Sequence, residues 1–206
     1  MKISEGTSTL KKIDYSRYAP LIALIVLFVI SSIASPYFLS TRNILNILRQ
    51  VSYTGIIALG MTFVIITGGI DLSVGSMTAF VGGITILTLN ALGGGYLAVI
   101  VSIITALSIG TLAGCINGLL VAKGRIAPFI VTLATMSIYR SLALYISGAG
   151  EFRSQSKIYP KIGSSYFLGI PTPVWIFLVL TFVFHMLLNN TKYGRYTCAV
   201  GYNERV

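Results

Sequence analysis

The chain has 206 residues, of which 55% are hydrophobic and only 10% are charged, and its formal net charge is +10. Because an ordinary soluble domain contains about 25% charged residues, this composition excludes a soluble globular protein and indicates a bilayer as the solvent. The positive charge does not predict a nucleic-acid partner, since no basic stretch is combined with stacking aromatic residues on a soluble domain.

Six apolar segments are long enough to cross a membrane, since a helix needs roughly 17 to 25 residues to span the hydrocarbon. They lie at about residues 20–37, 49–67, 72–92, 96–121, 127–146 and 172–188. The alternating segments that a transmembrane β-barrel requires are absent from the sequence. We therefore predict an all-α fold, a polytopic transmembrane helical bundle that forms a single domain over residues 1–206.

The basic residues predict the orientation, because short loops rich in Lys and Arg stay in the cytoplasm. With the N-terminus inside, nine Lys and Arg residues lie in the cytoplasm and five lie outside. This assignment makes 1–19 a cytoplasmic tail, 147–171 an outer loop and 189–206 a cytoplasmic segment. A basic start and an apolar first span also resemble a signal peptide, but an uncleaved helix is favoured because several spans follow.

The sequence "GGIDLSVG", residues 68–75, separates the second span from the third. Gly68 and Gly69 are suited to end a helix, and Asp71 or Ser73 is suited to cap the next one by accepting hydrogen bonds from its free N–H groups. An acidic residue between spans is also a candidate for contact with a transported substrate, because broken helices often line transport pathways. Both interpretations of Asp71 remain open at this stage.

Three more polar residues lie within spans. Arg140 is in the middle of the fifth span, where it must pair or face water, and Asp71 is its nearest candidate partner in composition. His185 is close to the cytoplasmic end of the sixth span and is interpreted as an interfacial residue rather than a proton relay. Asn117 is expected to form a hydrogen bond to another helix.

The fourth span carries small residues at every fourth position, a pattern that lets helix backbones approach closely. We interpret them as packing residues rather than as a site, and they predict a tightly packed helix. They are Ser102, Ala106, Gly110, Gly114, Gly118 and Ala122.

Nothing in the sequence predicts catalysis, a metal site or a cofactor. There is one His, no set of side chains suited to nucleophilic catalysis, and no GxxxxGK[ST] phosphate loop. Cys115 and Cys198 share no oxidising compartment in the predicted topology, so no disulfide is expected.

Four stretches together resemble the permease subunit of ribose-type ABC sugar importers. They are "GMTFVIITGGIDLSVGSM" (60–77), "NGLLVAKGRIAPFIVTLATMSIYRSL" (117–142), "GIPTPVWIF" (169–177) and "TKYGRYTCAVGYNE" (191–204). The resemblance implies a fold like that of vitamin B12 importers and a subunit that forms the sugar pathway in the bacterial inner membrane. It also implies contact with membrane lipid and three protein partners: a cytoplasmic ATP-binding subunit, a periplasmic sugar-binding protein and a second permease copy or paralogue.

The resemblance further implies that 189–206 begins the segment that couples to the ATPase. The candidate coupling residues are Gly194, Arg195, Gly201, Asn203 and Glu204, with the two glycines permitting a turn out of the membrane. A stop-transfer loop is the alternative. Because family members continue beyond this segment, the chain is expected to be an N-terminal part or a truncated product that does not support sugar uptake alone.

Two other classes of function compete with the importer subunit. An ion-coupled secondary transporter would use acidic residues within the membrane, and only Asp71 qualifies. A membrane enzyme would need a cluster of polar catalytic groups at one face, which the sequence does not supply.

Overall fold

The computed structural model describes residues 15–202, which form eight helices and one two-stranded antiparallel sheet. This confirms the predicted all-α fold, since each strand has only two residues. The elements are α1 (Tyr15–Ala34), α2 (Thr41–Ile66), α3 (Val74–Ala91), α4 (Tyr96–Ala122), α5 (Pro128–Ser147), α6 (Tyr159–Ser164), β1 (Tyr166–Phe167), β2 (Ile170–Pro171), α7 (Thr172–Asn190) and α8 (Lys192–Tyr202).

Five of the helices, α2 to α5 and α7, are long and apolar enough to span a membrane, while α1 contributes a shorter apolar stretch, Tyr18–Ala34. The first predicted span, 20–37, therefore extends past the C-terminal end of α1 at Ala34. The helix stops before Pro36, which disfavours a helical conformation at the residue preceding it. The second span was predicted to begin too late, because α2 starts at Thr41, where the Ser40 hydroxyl accepts a hydrogen bond from the Asn43 N–H at 3.4 Å.

The chain divides into two compact units, one ending at Asn46 and the other beginning at Ile47. In the first unit, the rings of Phe28 and Phe38 meet edge to face with their centroids 5.1 Å apart. In the second unit, α3 packs against both α4 and α5, and α7 packs against α8. Helix α3 is thus the centre of the packed helices in the second unit.

The predicted outer loop is structured and folds over the turn between α3 and α4. The Ser156 hydroxyl donates a hydrogen bond of 2.6 Å to the Gly94 carbonyl, and the Asn90 amide donates one of 2.9 Å to the Arg153 carbonyl. Beneath these bonds, a buried apolar cluster contains Leu89, Ala98 and Val99. The loop therefore closes one end of the α3–α4 hairpin.

Within residues 15–202, the small residues of α4 face other helices over only the first part of the helix, and close packing along the rest of the row stays a prediction. Ser102 is fully buried, but Gly114 and Gly118 are exposed, and a Cβ atom added at Gly110, Gly114 or Gly118 would contact nothing within the described residues. A helix turns about 100° per residue, so each step of four residues advances about 40° around it. From Ser102 to Ala122, this row of small residues therefore winds to the opposite side of the helix. Only its first part, from Ser102 to the half-buried Ala106, faces the packed core, and Ala122 is exposed.

Candidate functional site

The break between α2 and α3 is built by two glycines. Helix α2 ends at Ile66, and Gly68 has a φ of 77°, the left-handed conformation that glycine adopts at little cost. The Gly68 N–H donates to the Ile65 carbonyl at 3.0 Å, and the Gly69 N–H donates to the Val64 carbonyl at 2.9 Å. These two bonds form a Schellman motif, which satisfies the last carbonyls of the helix.

Asp71 closes the turn that leads into α3. One carboxylate oxygen, Oδ1, accepts hydrogen bonds from the Ser73 N–H at 2.8 Å and from the Ser73 hydroxyl at 2.6 Å. Ser73 is the N-cap residue of α3, but its own side chain makes no capping hydrogen bond. The expected capping by Ser73 is therefore replaced by a turn that Asp71 stabilises, because the Ser73 hydroxyl points to the carboxylate instead.

Residues of α4 and α5 hold this turn from two sides. The Asn117 amide donates to the Ser73 hydroxyl at 3.0 Å, the interhelical bond expected from the sequence. The Thr132 hydroxyl shares its single hydrogen between the Pro128 carbonyl at 2.8 Å, within α5, and the Ile70 carbonyl of the turn at 3.2 Å. Ser73 and Asn117 are both buried, and Oδ1 of Asn117 has no hydrogen-bond partner within the described residues.

The turn lies inside the helical bundle rather than at its end. Asn117 is five residues before the last residue of α4, and Thr132 is four residues after the first residue of α5. At 1.5 Å per residue, the turn is therefore about 6 to 8 Å inside the ends of these helices. A polar turn at this depth is tolerated where it is packed in protein or lines a water-filled cavity.

Arg140 forms no ion pair with Asp71, the candidate partner that the composition offered. The only ion pair among the side chains of residues 18–202 joins Arg153 to Glu151 at 3.0 Å, on the exposed loop between α5 and α6. Arg140 instead lines an open cleft of about 470 Å³ between α3 and α5. The other lining residues are Leu72, Gly75, Ser76, Ala79, Met136, Ala143 and Leu144.

Helix α8 occupies the segment for which a turn out of the membrane was predicted. Gly194 and Gly201 both lie within this helix, so neither makes the expected turn. They are required for close approach instead, because a Cβ at Gly194 would overlap the Leu188 carbonyl and one at Gly201 would overlap the Ile66 carbonyl. Arg195 is exposed, and Asn203 and Glu204 lie outside the described residues.

The remaining candidates stay apart from the helix break. His185 is exposed on α7 and contacts Asn189 at 3.1 Å. Cys115 and Cys198 are free, exposed thiols. Within residues 15–202, no three His, Cys, Asp or Glu side chains are placed to hold a metal ion.

Sequence reasoning missed Thr132, whose hydroxyl contacts the turn, and Ser156, whose hydroxyl holds the loop between α5 and α6. Hydroxyl side chains in apolar helices usually bond to the carbonyl four residues earlier, as Thr132 also does to Pro128 at 2.8 Å. A Thr within a span therefore gives no signal that it also bonds to another element. For Ser156, the polar outer loop offered many equivalent candidates.

The apolar helices and the polar helix break define a class, the multi-pass helical membrane proteins whose interrupted helix is held by buried hydrogen bonds. The particular family follows from comparison: residues 43–206 match the family described as the branched-chain amino acid transport system / permease component. This chain belongs to that family. No solved structure matches the chain.

Curated relatives are similar over most of the chain. The ribose import permease protein RbsC of Haemophilus influenzae is 44% identical over 89% of the chain, and that of Bacillus subtilis is 43% identical over 100% of it. The L-arabinose transport system permease protein AraH of Escherichia coli is 33% identical over 92% of the chain. The chain spans only 57%, 64% and 57%, respectively, of the length of these relatives.

Proposed function

We propose that this chain is the membrane-spanning permease subunit of an ATP-driven importer for a monosaccharide such as ribose, and that it forms the translocation pathway in the bacterial inner membrane. The observation that carries the proposal is the 43% identity to a ribose import permease along the whole of this chain. The similarity to an arabinose permease agrees with it, because both named sugars are pentoses.

The pathway runs beside the helix break in this proposal. Interrupted helices present free backbone groups within the membrane, and such groups contact substrates in many transporters. Gly68 and Gly69 interrupt the helix, and Asp71 and Ser73 hold the next one in place, with Arg140 on the neighbouring face. Energy comes from a separate subunit, since the sequence has no phosphate loop for ATP.

The partners follow from the same family. The N-terminus is cytoplasmic in this proposal, so α8 lies on the cytoplasmic side and contacts the ATP-binding subunit through residues near Arg195, with Asn203 and Glu204 at the edge of the contact. A periplasmic sugar-binding protein docks on the outer side. A second permease copy or paralogue completes the pathway, and lipid surrounds the exposed apolar faces.

Photocrosslinking from two tyrosines tests the assignment. Tyr196 is 69% exposed on α8. Tyr145 is 85% exposed near the last residue of α5, which lies on the outer side in this proposal. A photoreactive phenylalanine analogue is placed at one position or the other, in a Bacillus subtilis strain whose ribose permease gene is deleted. The product is identified by mass spectrometry. We expect the ATP-binding subunit of the ribose importer to crosslink to position 196 and not to position 145.

The same experiment addresses the ion-coupled alternative, which the named relatives do not support. A secondary transporter works without an ATPase, so neither position would capture one. Capture at position 145 alone would contradict the proposed orientation, and absence of capture at both positions would contradict the importer assignment.

A further inference from the structure

Arg140 is a charged residue deep within a membrane span. It is the thirteenth residue of the 20-residue helix α5, about 10 Å from the nearer helix end at 1.5 Å per residue. Placing an arginine in the middle of a span costs about 2.5 to 3.5 kcal/mol on insertion scales, unless it pairs or faces water. Among the side chains of residues 18–202, its guanidinium has no ion-pair partner.

The cleft around Arg140 is large enough to hold a small molecule. Its volume of about 470 Å³ lies within the range of roughly 300 to 1,000 Å³ that is typical of ligand pockets. Gly75, Ala79 and Ala143 leave room near the guanidinium, while Leu72 and Met136 supply apolar contact. Polar groups with apolar walls are suited to a molecule that has both hydroxyl groups and C–H faces.

Hydrogen-bond donors enter the cleft from the start of α3. Gly75 and Ser76 belong to the first turn of this helix, where backbone N–H groups have no partner within the helix. No side chain caps this helix end. The lining of the cleft therefore includes two residues from the first turn of α3 together with Arg140, whose guanidinium is a hydrogen-bond donor.

One of the two positive groups beside the cleft, the start of α3, is already offset by a carboxylate. A helix N-terminus and an arginine together attract negative charge. Here, however, the Asp71 carboxylate is already hydrogen-bonded to the N-cap residue of α3, at 2.8 Å from the Ser73 N–H. This carboxylate offsets the positive helix end and leaves donors that suit the oxygen atoms of a neutral polyhydroxylated molecule.

We propose that the cleft between α3 and α5 is a water-accessible subsite for a monosaccharide, in which the Arg140 guanidinium donates hydrogen bonds to sugar oxygens. The inference rests on the proposed function, and it adds the place where the pathway contacts the sugar. A carboxylate from another chain segment and an inorganic anion are the competing occupants.

Cysteine modification of the full chain in lipid nanodiscs tests the subsite. Ala79→Cys places a thiol in the cleft of a chain in which Cys115 and Cys198 are changed to serine. Leu107→Cys, at a position on α4 that is 67% exposed, is the matched lipid-facing control. We expect a water-soluble thiosulfonate reagent to modify the thiol at position 79 many times faster than the one at position 107. Millimolar D-ribose should slow the first reaction but not the second.

Arg140→Gln identifies the contact. We expect this change to preserve fast modification of Ala79→Cys and to abolish protection by ribose. Slow modification at position 79 would overturn the subsite, as would fast modification that ribose does not slow. Protection by sulfate instead of ribose would show an anion site, and protection that survives Arg140→Gln would remove the role of the arginine. Crosslinking of position 196 to the ATPase tests the proposed function, and protection of position 79 by ribose tests the subsite. Crosslinking without protection would therefore refute the subsite and leave the proposed function standing.

Discussion

At the residue scale, three polar side chains fix the junction of α2 and α3. The Asn117 amide bonds to the Ser73 hydroxyl, which bonds to the Asp71 carboxylate. An interhelical hydrogen bond within a membrane protein contributes only about 0.6 kcal/mol on average, whereas a buried polar group left unpaired costs about 1 to 3 kcal/mol. The junction is therefore most sensitive to changes that leave a buried donor without an acceptor.

Asp71→Leu should lower the thermal unfolding temperature of the detergent-solubilised chain more than Asp71→Asn. Leucine removes the acceptor for both Ser73 donors, and Ser73 has 0% exposure, so the expected cost is about 1 to 3 kcal/mol. Asparagine keeps an oxygen at the same position and serves as the matched control. Equal unfolding temperatures for the two variants would show that the carboxylate does not hold the turn.

Asn117→Leu should destabilise the chain less than Asp71→Leu, although Asn117 is the more buried residue. The change removes one hydrogen bond to Ser73, but it also removes an amide oxygen that has no partner within the described residues. The expected cost is therefore no more than about 0.6 kcal/mol. Thermal unfolding measures it beside Asp71→Leu, and a reversed order would indicate that Asn117 Oδ1 has an unseen partner.

At the element scale, α8 is held against two other helix ends through its glycines. Gly194 is buried, and its N–H donates to the Thr191 hydroxyl at 3.2 Å. Gly201 approaches the Ile66 carbonyl at the end of α2, immediately before the Schellman motif. The helix proposed to contact the ATPase is thus linked to the helix break through backbone contact.

Gly201→Ala should loosen α8 from α2, because the added Cβ would overlap the Ile66 carbonyl. Backbone atoms cannot move aside as a flexible side chain can, so α8 must shift. Hydrogen exchange of residues 192–202, followed by mass spectrometry, should become faster. The control is Gly110→Ala, where the Cβ has open space and alanine favours the helix by about 1 kcal/mol. Faster exchange in the control alone, or in neither, would contradict the contact.

At the scale of the whole molecule, the basic residues predict which side of the membrane the N-terminus occupies. Positions 124 and 156 lie on the two predicted sides of the membrane, but both are poor positions for cysteine labelling. A Cβ at Gly124 would overlap the Leu120 carbonyl, and Ser156 is 7% exposed. Lys123 and Glu151 are exposed neighbours.

A cysteine at Lys123 should react with a membrane-impermeant maleimide only after the cells are opened, and one at Glu151 should react in intact cells. Both variants are made with Cys115 and Cys198 changed to serine, so that each chain has one thiol. The opposite pattern would refute the cytoplasmic N-terminus. It would also place α8 on the outer side, away from any ATPase.

The sequence by itself predicted that the chain lies in a lipid bilayer, that it is helical, where a helix is interrupted and which family it belongs to. These depend on local properties, namely the length of apolar segments, the freedom of glycine and the order of motifs, so they can be found without knowing which segments meet. The same locality explains the errors at helix ends. The polar residues after Ser40 form the start of α2, but they do not belong to an apolar segment and so were not assigned to the span. The glycines of α8 were interpreted as turn residues although they lie within a helix.

Only the tertiary structure decided which groups meet. In the structure, Asp71 accepts hydrogen bonds from Ser73 and does not pair with Arg140, and Thr132 contacts the turn. The later glycines of α4 have no neighbour among the described residues. Each outcome depends on the direction in which a side chain leaves its helix and on how deep its neighbour lies. Residue spacing predicts the direction of a side chain relative to other positions on the same helix. It does not predict which residue of another helix lies opposite, because apolar faces in lipid offer many alternative partners of similar energy.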